Sequence, residues 1–132
     1  MKRRALNGYL AQANAMPFKY GTFDCALFAA GWVKCITGKD LTLGVEYSTL
    51  REGREKLQEA GLDDHVEAAA SQLGEVPVAM ARAGDVASVP AGRGSFGLGI
   101  VTGERVAVLT RWNGVGFVQL SDAVRAFRVE TS

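Results

Sequence analysis

The sequence is poor in most of the features that specialised folds need. Two cysteines and one histidine among 132 residues cannot furnish a structural zinc cage unless carboxylates complete it. No apolar run approaches the ~18 residues of a bilayer-spanning helix, so no membrane span is expected. Fifteen basic residues against fourteen acidic ones leave a net charge of +1, without the electrostatic footprint of a dedicated nucleic-acid binder. The basic start, MKRRALNGYLAQANA, is not followed by the apolar run of about seven or more residues that a secretory signal carries, so export by a signal of its own is not expected. No repeat, linker or low-complexity tract interrupts the chain. With 48% hydrophobic and 22% charged residues, wholesale disorder is excluded. What is there is one globular domain, residues 1–132, long enough to bury a core without staples.

Helical periodicity opens the chain, with Ala5, Leu6, Tyr9, Leu10 and Ala13 on one face, until Pro17 forbids its continuation. Asp24 predicts the N-cap of a second helix. Leu27, Phe28, Gly31, Trp32, Val33 and Ile36 make that helix broadly apolar, hence central and buried on most sides, and Gly38 ends it. STLREGREKLQEAG predicts an exposed third helix with Ser48 as N-cap and Gly61 as stop, and DDHVEAAASQLG a fourth, capped by Asp63 or Asp64. From Val76 the grammar changes to short β-rich runs between glycines: RAGDVASVP, FGLGIVTG, ERVAVLT and GFVQL. Gly103-Glu104 and Asn113-Gly114 are the expected turns, and SDAVRAFRV a short helical or edge segment. A helical part (about 1–75) followed by a small antiparallel sheet (about 76–132) defines an α+β domain. Its expected core is Leu27, Phe28, Trp32, Val33, Ile36, Val86, Ile100, Val106, Val108, Phe117 and Val118.

Chemistry concentrates at Asp24-Cys25. A cysteine in the first turn of a helix sits among unpaired amides at the positive end of the dipole, which favours the nucleophilic thiolate. The competing reading is a small buried hydrophobe. Cys35 cannot pair with it, because ten residues of helix span roughly 15 Å, beyond the roughly 7 Å reach of a disulfide. Cys35 is therefore expected in the core, and a reducing compartment is the simpler assumption. His65, the lone histidine, lies in DDHVEA and reads as a surface residue rather than a base for Cys25. Gly94, Gly97, Gly99 and Gly103 fit no phosphate-loop pattern and read as turns and close strand contacts. Asp85 marks a turn entering the first strand. No metal and no organic cofactor are expected.

PFKYGTFDCALFAAGWVKCITGKDL resembles the nucleophile segment of the NlpC-type cell-wall peptidases, papain-like cysteine amidases. Their motif runs aromatic-x-aromatic-Gly, a short loop, Asp-Cys, then a buried helix ending in Gly. AGDV resembles that family's Gly-Asp-Leu/Val strand start, and GLGIVTGERVAV its His-Val-Gly-Ile-x-x-Gly strand and turn; the Asp-Cys-x-Leu-Phe-x-Ala pattern is similar to a short phage- and prophage-borne branch. The resemblance implies a papain-like fold with the central helix packed on the sheet. It puts Cys25 at the nucleophile, Asp24 at the group that holds the substrate's amino end, and Phe18, Tyr20 and Gly21 in the substrate-binding segment. It also implies losses. The histidine position falls on Gly97, or beside it at Phe96 or Leu98; the residue that orients that histidine falls near Val108 and Leu109; and Phe18 lacks the hydroxyl of the usual tyrosine. The expected function is a structural or assembly role at a phage or prophage tail, with other tail proteins as partners, in the host cytoplasm or the virion. The alternative is a thiol amidase acting on peptidoglycan stem peptides through Cys25 and an atypical or partner-supplied base. A small-molecule or lipid-acyl thiol transferase built on the same fold ranks below both.

Overall fold

The computed structural model describes residues 2–19, 23–41, 46–59, 61, 65–90, 96–110 and 114–130. The first helix, α1 (Lys2–Asn14), lays Leu6 and Ala13 inward, and Asn14 Oδ1 accepts the Val115 amide at 3.0 Å. The second, α2 (Cys25–Thr37), begins where expected. Asp24 accepts the Leu27 amide at 2.9 Å, and Gly38, left-handed at φ 79°, returns its amide to the Lys34 carbonyl. Two short helices follow, α3 (Leu50–Glu59) and α4 (His65–Ala70).

The strands are β1 (Gly74–Val76), β2 (Val86–Pro90), β3 (Phe96–Val101), β4 (Arg105–Leu109), β5 (Val115–Gln119) and β6 (Arg125–Arg128). They form one antiparallel sheet in the order β1-β6-β2-β3-β4-β5. Strand alternation sorts the core into two faces. Val86, Leu98, Ile100, Ala107 and Phe127 point to the helices, where Phe28, Ala29, Trp32 and Val33 of α2 and Val66 and Ala69 of α4 meet them. Ala87, Val89, Val101 and Val106 point the other way, under Ala81, Val118, Leu120 and Ala123. Two polar ties add to this packing. Trp32 Nε1 donates to the Gly84 carbonyl at 2.7 Å. Next to it the wholly buried Asp85 accepts from Arg82 N, Arg128 Nε and Val129 N at 2.8, 3.0 and 3.1 Å. Asp85 thus does more than mark a turn: it ties the start of β2 to the end of β6.

Several expectations need correction. The cap of α3 is Thr49, whose Oγ1 takes the Glu52 amide at 3.1 Å, because the helix starts one residue later than a Ser48 cap requires. The expected caps Asp63 and Asp64 lie outside the described residues, and α4 ends early in a turn at Ser71–Leu73 that leads into β1. SDAVRAFRV contributes an interior strand, since β6 lies between β1 and β2, with Ala126 and Phe127 buried. Phe117 is 51% exposed: on edge strand β5 it has Arg105 over its ring at 5.6 Å instead of a helix. Leu27, Ile36, Val108 and Val118 are only half-buried, whereas the other six expected core residues are buried. Cys35 is exposed, reversing the expectation of a core residue, because α2 emerges from cover after Val33, and His65 is half-buried rather than fully exposed, because α4 packs down on the sheet. Gly99 does mark a close strand contact, as a Cβ there would lie 2.6 Å from the Ala107 carbonyl.

Gly31 of α2 leaves room for the Tyr9 side chain of α1. A Cβ there would collide with the Tyr9 hydroxyl, which is itself fixed by donation to the Phe28 carbonyl at 2.6 Å and by ring contacts with Phe28 and Trp32. Gly31→Ala should destabilise the fold by about 1–3 kcal/mol, the usual cost of overpacking. In a Tyr9→Phe background the same substitution should cost distinctly less, a coupling that a urea-unfolding double-mutant cycle measures. Asp85→Ala should cost about 3–5 kcal/mol, because it removes the buried carboxylate that pairs with the Arg128 guanidinium and accepts two backbone amides; equal urea midpoints for variant and wild type would refute this.

Candidate active site

Cys25 is the first residue of α2, half-buried, and directly follows the cap. Lys19 and Phe23 exchange two backbone hydrogen bonds of 2.8 Å, which bring the chain back to the head of that helix. Asp24 is 2% exposed, so its carboxylate needs partners on both oxygens. Oδ1 takes the Leu27 amide; Oδ2 takes the hydroxyl of Tyr47.

The thiol sits between two opposing influences. Burial pushes its pKa up, and the neighbouring Asp24 carboxylate pushes it further, because a second negative charge is unwelcome there. Backbone amides of Leu98, Ala26 and Cys25 itself favour the thiolate but do not prevail, so the pKa lies above the ordinary thiol value. Leu98, the first of these, belongs to β3 and directly follows Gly97.

Gly97 is buried and paired with Val89, so alternation directs that position to the face away from α2. Its neighbours Phe96 and Leu98, which do turn to the helix side, are apolar. Leu109 is packed in the core with Phe28 and Trp32, and Val108 is half-buried on the opposite face. Phe18 packs against the same cluster as Phe28, whereas Tyr20 and Gly21 lie outside the described residues. His65 heads α4 and is absent from the groups that shift the Cys25 titration. Among the described residues, no three His, Cys, Asp or Glu side chains cluster to hold a metal ion. Tyr47 is the site residue that sequence reasoning missed; its only signal is an aromatic just ahead of the α3 cap.

The model of a family described as a domain of unknown function, DUF6950, matches residues 2–129. The chain belongs to the DUF6950 family. This DUF6950 domain is also similar to a crystal structure of the NlpC/p60 domain of the peptidoglycan hydrolase SagA, with a TM-score of 0.60 over 96% of this chain and 97% of that one. At 16% identity the likeness is one of fold, the α+β papain-like arrangement of a cell-wall amidase-type domain. No curated protein matches it.

Chemically, the DUF6950 site offers a protonated thiol facing backbone amides, with a carboxylate beside it. Asp24→Asn keeps a good N-cap while removing the charge. In a Cys35→Ser background, which removes the exposed competing thiol, this variant should be alkylated by iodoacetamide at Cys25 about threefold to tenfold faster at one fixed pH below the thiol pKa, tenfold being one pKa unit. An unchanged rate would show that the carboxylate does not restrain the thiol.

A raised folded pKa also fixes the sign of the alkaline response. The unfolded chain surrenders the Cys25 proton first, so the stability contribution is complete below the unfolded thiol pKa and is lost as pH rises through the folded one. Tyr9 behaves alike higher up, its phenol pushed to about 12 chiefly by burial and then by Cys35. Cys25→Ser should flatten the first part of that decline in urea midpoints, and an identical slope would contradict the shift.

Proposed function

We propose that this chain uses an amidase-type fold as a scaffold, in a structural or assembly role at a phage or prophage tail or tail tip. The carrying observation is the thiol's setting: Cys25 is half-buried beside the Asp24 carboxylate, both of which oppose its ionisation, and β3, the strand packed on its helix, offers Gly97, Phe96 and Leu98. Amide hydrolysis needs the thiol proton removed and the leaving amine protonated, help worth typically 10²–10⁴-fold. Gly97, Phe96 and Leu98 have no side chain that can do either. On this reading the partners are other tail proteins, met in the host cytoplasm during assembly or in the finished virion.

One observation favours the alternative, a peptidoglycan stem-peptide amidase: Cys25 opens α2, where the backbone amides of the first turn favour a thiolate. In that case Cys25 is the nucleophile, Asp24 holds the substrate's amino group, and another chain brings the base.

Incubation of the purified protein with peptidoglycan stem peptides, read by mass spectrometry, separates the two. The scaffold reading predicts no cleavage above the Cys25→Ser control, and recovery of the chain in purified particles or tail-assembly intermediates. Cys25-dependent cleavage by the protein alone would overturn it.

A further inference from the structure

The bond between Tyr47 and Asp24 is more than capping requires. The Leu27 amide already gives the cap its partner, and Tyr47 lies 23 residues further along the chain. Its ring is seated on α3 at Gly53, where an added Cβ would lie 3.0 Å from two ring carbons. Gly53 in turn donates its amide to the Thr49 carbonyl at 3.1 Å, closing the first turn of α3. Ring and hydroxyl are thus held from opposite ends, one by α3 and the other by the head of α2.

We propose that Tyr47 is the positioning residue of the Cys25 site: its hydroxyl, donated to Asp24 Oδ2, fixes the carboxylate beside the sulfur and ties the chain ahead of α3 to the head of α2. The proposal rests on the reading of Cys25 as the thiol of the site, and it holds whether or not the site hydrolyses anything. A carboxylate that accepts a hydroxyl proton shares its charge with the donor, so less of that charge falls on the thiol. Without the hydroxyl, the carboxylate should oppose thiolate formation more strongly.

Among the described residues, β3 carries no titratable side chain, and besides Cys25 itself α2 carries only Lys34 and Cys35, near its far end; Lys19 stands in the segment paired with Phe23. Near Tyr47 stand Glu46, Glu52 and Lys56; Lys56 pairs with Glu52 at 3.5 Å and donates to the Glu46 carbonyl. On the remaining neighbours, Tyr9 of α1 donates to the Phe28 carbonyl and His65 heads α4.

The test is the pH profile of Cys25 alkylation by iodoacetamide in the full chain carrying Cys35→Ser. Tyr47→Phe keeps the ring on Gly53 and should slow alkylation about threefold at a fixed pH, equivalent to half a pKa unit upward. Gly53→Ala, which pushes the intact ring outward, should slow it in the same direction, so the inference survives if the first variant fails to fold. With Asp24→Asn present, Tyr47→Phe should have no effect on the profile. An unchanged profile in both Tyr47→Phe and Gly53→Ala, or equal slowing with and without Asp24→Asn, would overturn the role. Peptide cleavage does not enter this readout, so failure of the scaffold reading and failure of the Tyr47 role are told apart.

Discussion

One buried carboxylate organises the functional end of this molecule. A helix that begins inside a protein must find acceptors for its first amides, and Asp24 supplies one for α2. The same negative charge lies beside the sulfur of the next residue and opposes its ionisation. The amino-acid pair that makes the helix start well therefore makes the thiol a poor nucleophile unless something takes up its proton. In a cysteine amidase an imidazole on the facing strand does so; here that strand offers Gly97 between Phe96 and Leu98.

The fold does not depend on that imidazole. Its stability comes from the apolar contacts of α2 and α4 with the helix-facing side of the sheet, from Trp32 bonded to Gly84, and from the Asp85 hub joining β2 and β6. These elements surround the thiol without using it. The packing of the scaffold is therefore independent of which group, if any, serves the thiol. The likeness to an NlpC/p60 domain at only 16% identity is of a piece with this: the fold is shared while most residues differ.

Much of this was legible in the residues. The cap at Asp24, the stop at Gly38 and the four principal strands follow from local chemistry, and each occurs at or within a few residues of its expected place. The aromatic-Gly-Asp-Cys segment is the most specific of the three that carry the fold resemblance. What local pattern could not show was the sheet's long-range order. The segment around Phe127 looks like an edge, yet it becomes an interior strand because β1, only three residues long, pairs beyond it. Cys35 was misjudged because helix periodicity does not reveal where cover ends along α2, and Phe117 because nothing in β5 shows that it closes the sheet. Tyr47 was invisible for a related reason: a hydrogen bond across 23 residues leaves no spacing to read.

The decisive quantity is the ionisation state of one sulfur. Carbon NMR of a labelled Cys25 Cβ, followed through an alkaline titration of the unmodified protein, reads it without any reagent or substrate. A midpoint above that of an ordinary cysteine is the predicted result. A midpoint below neutrality would mean that the amides of β3 and α2 outweigh burial and Asp24, and that the site holds an activated nucleophile after all.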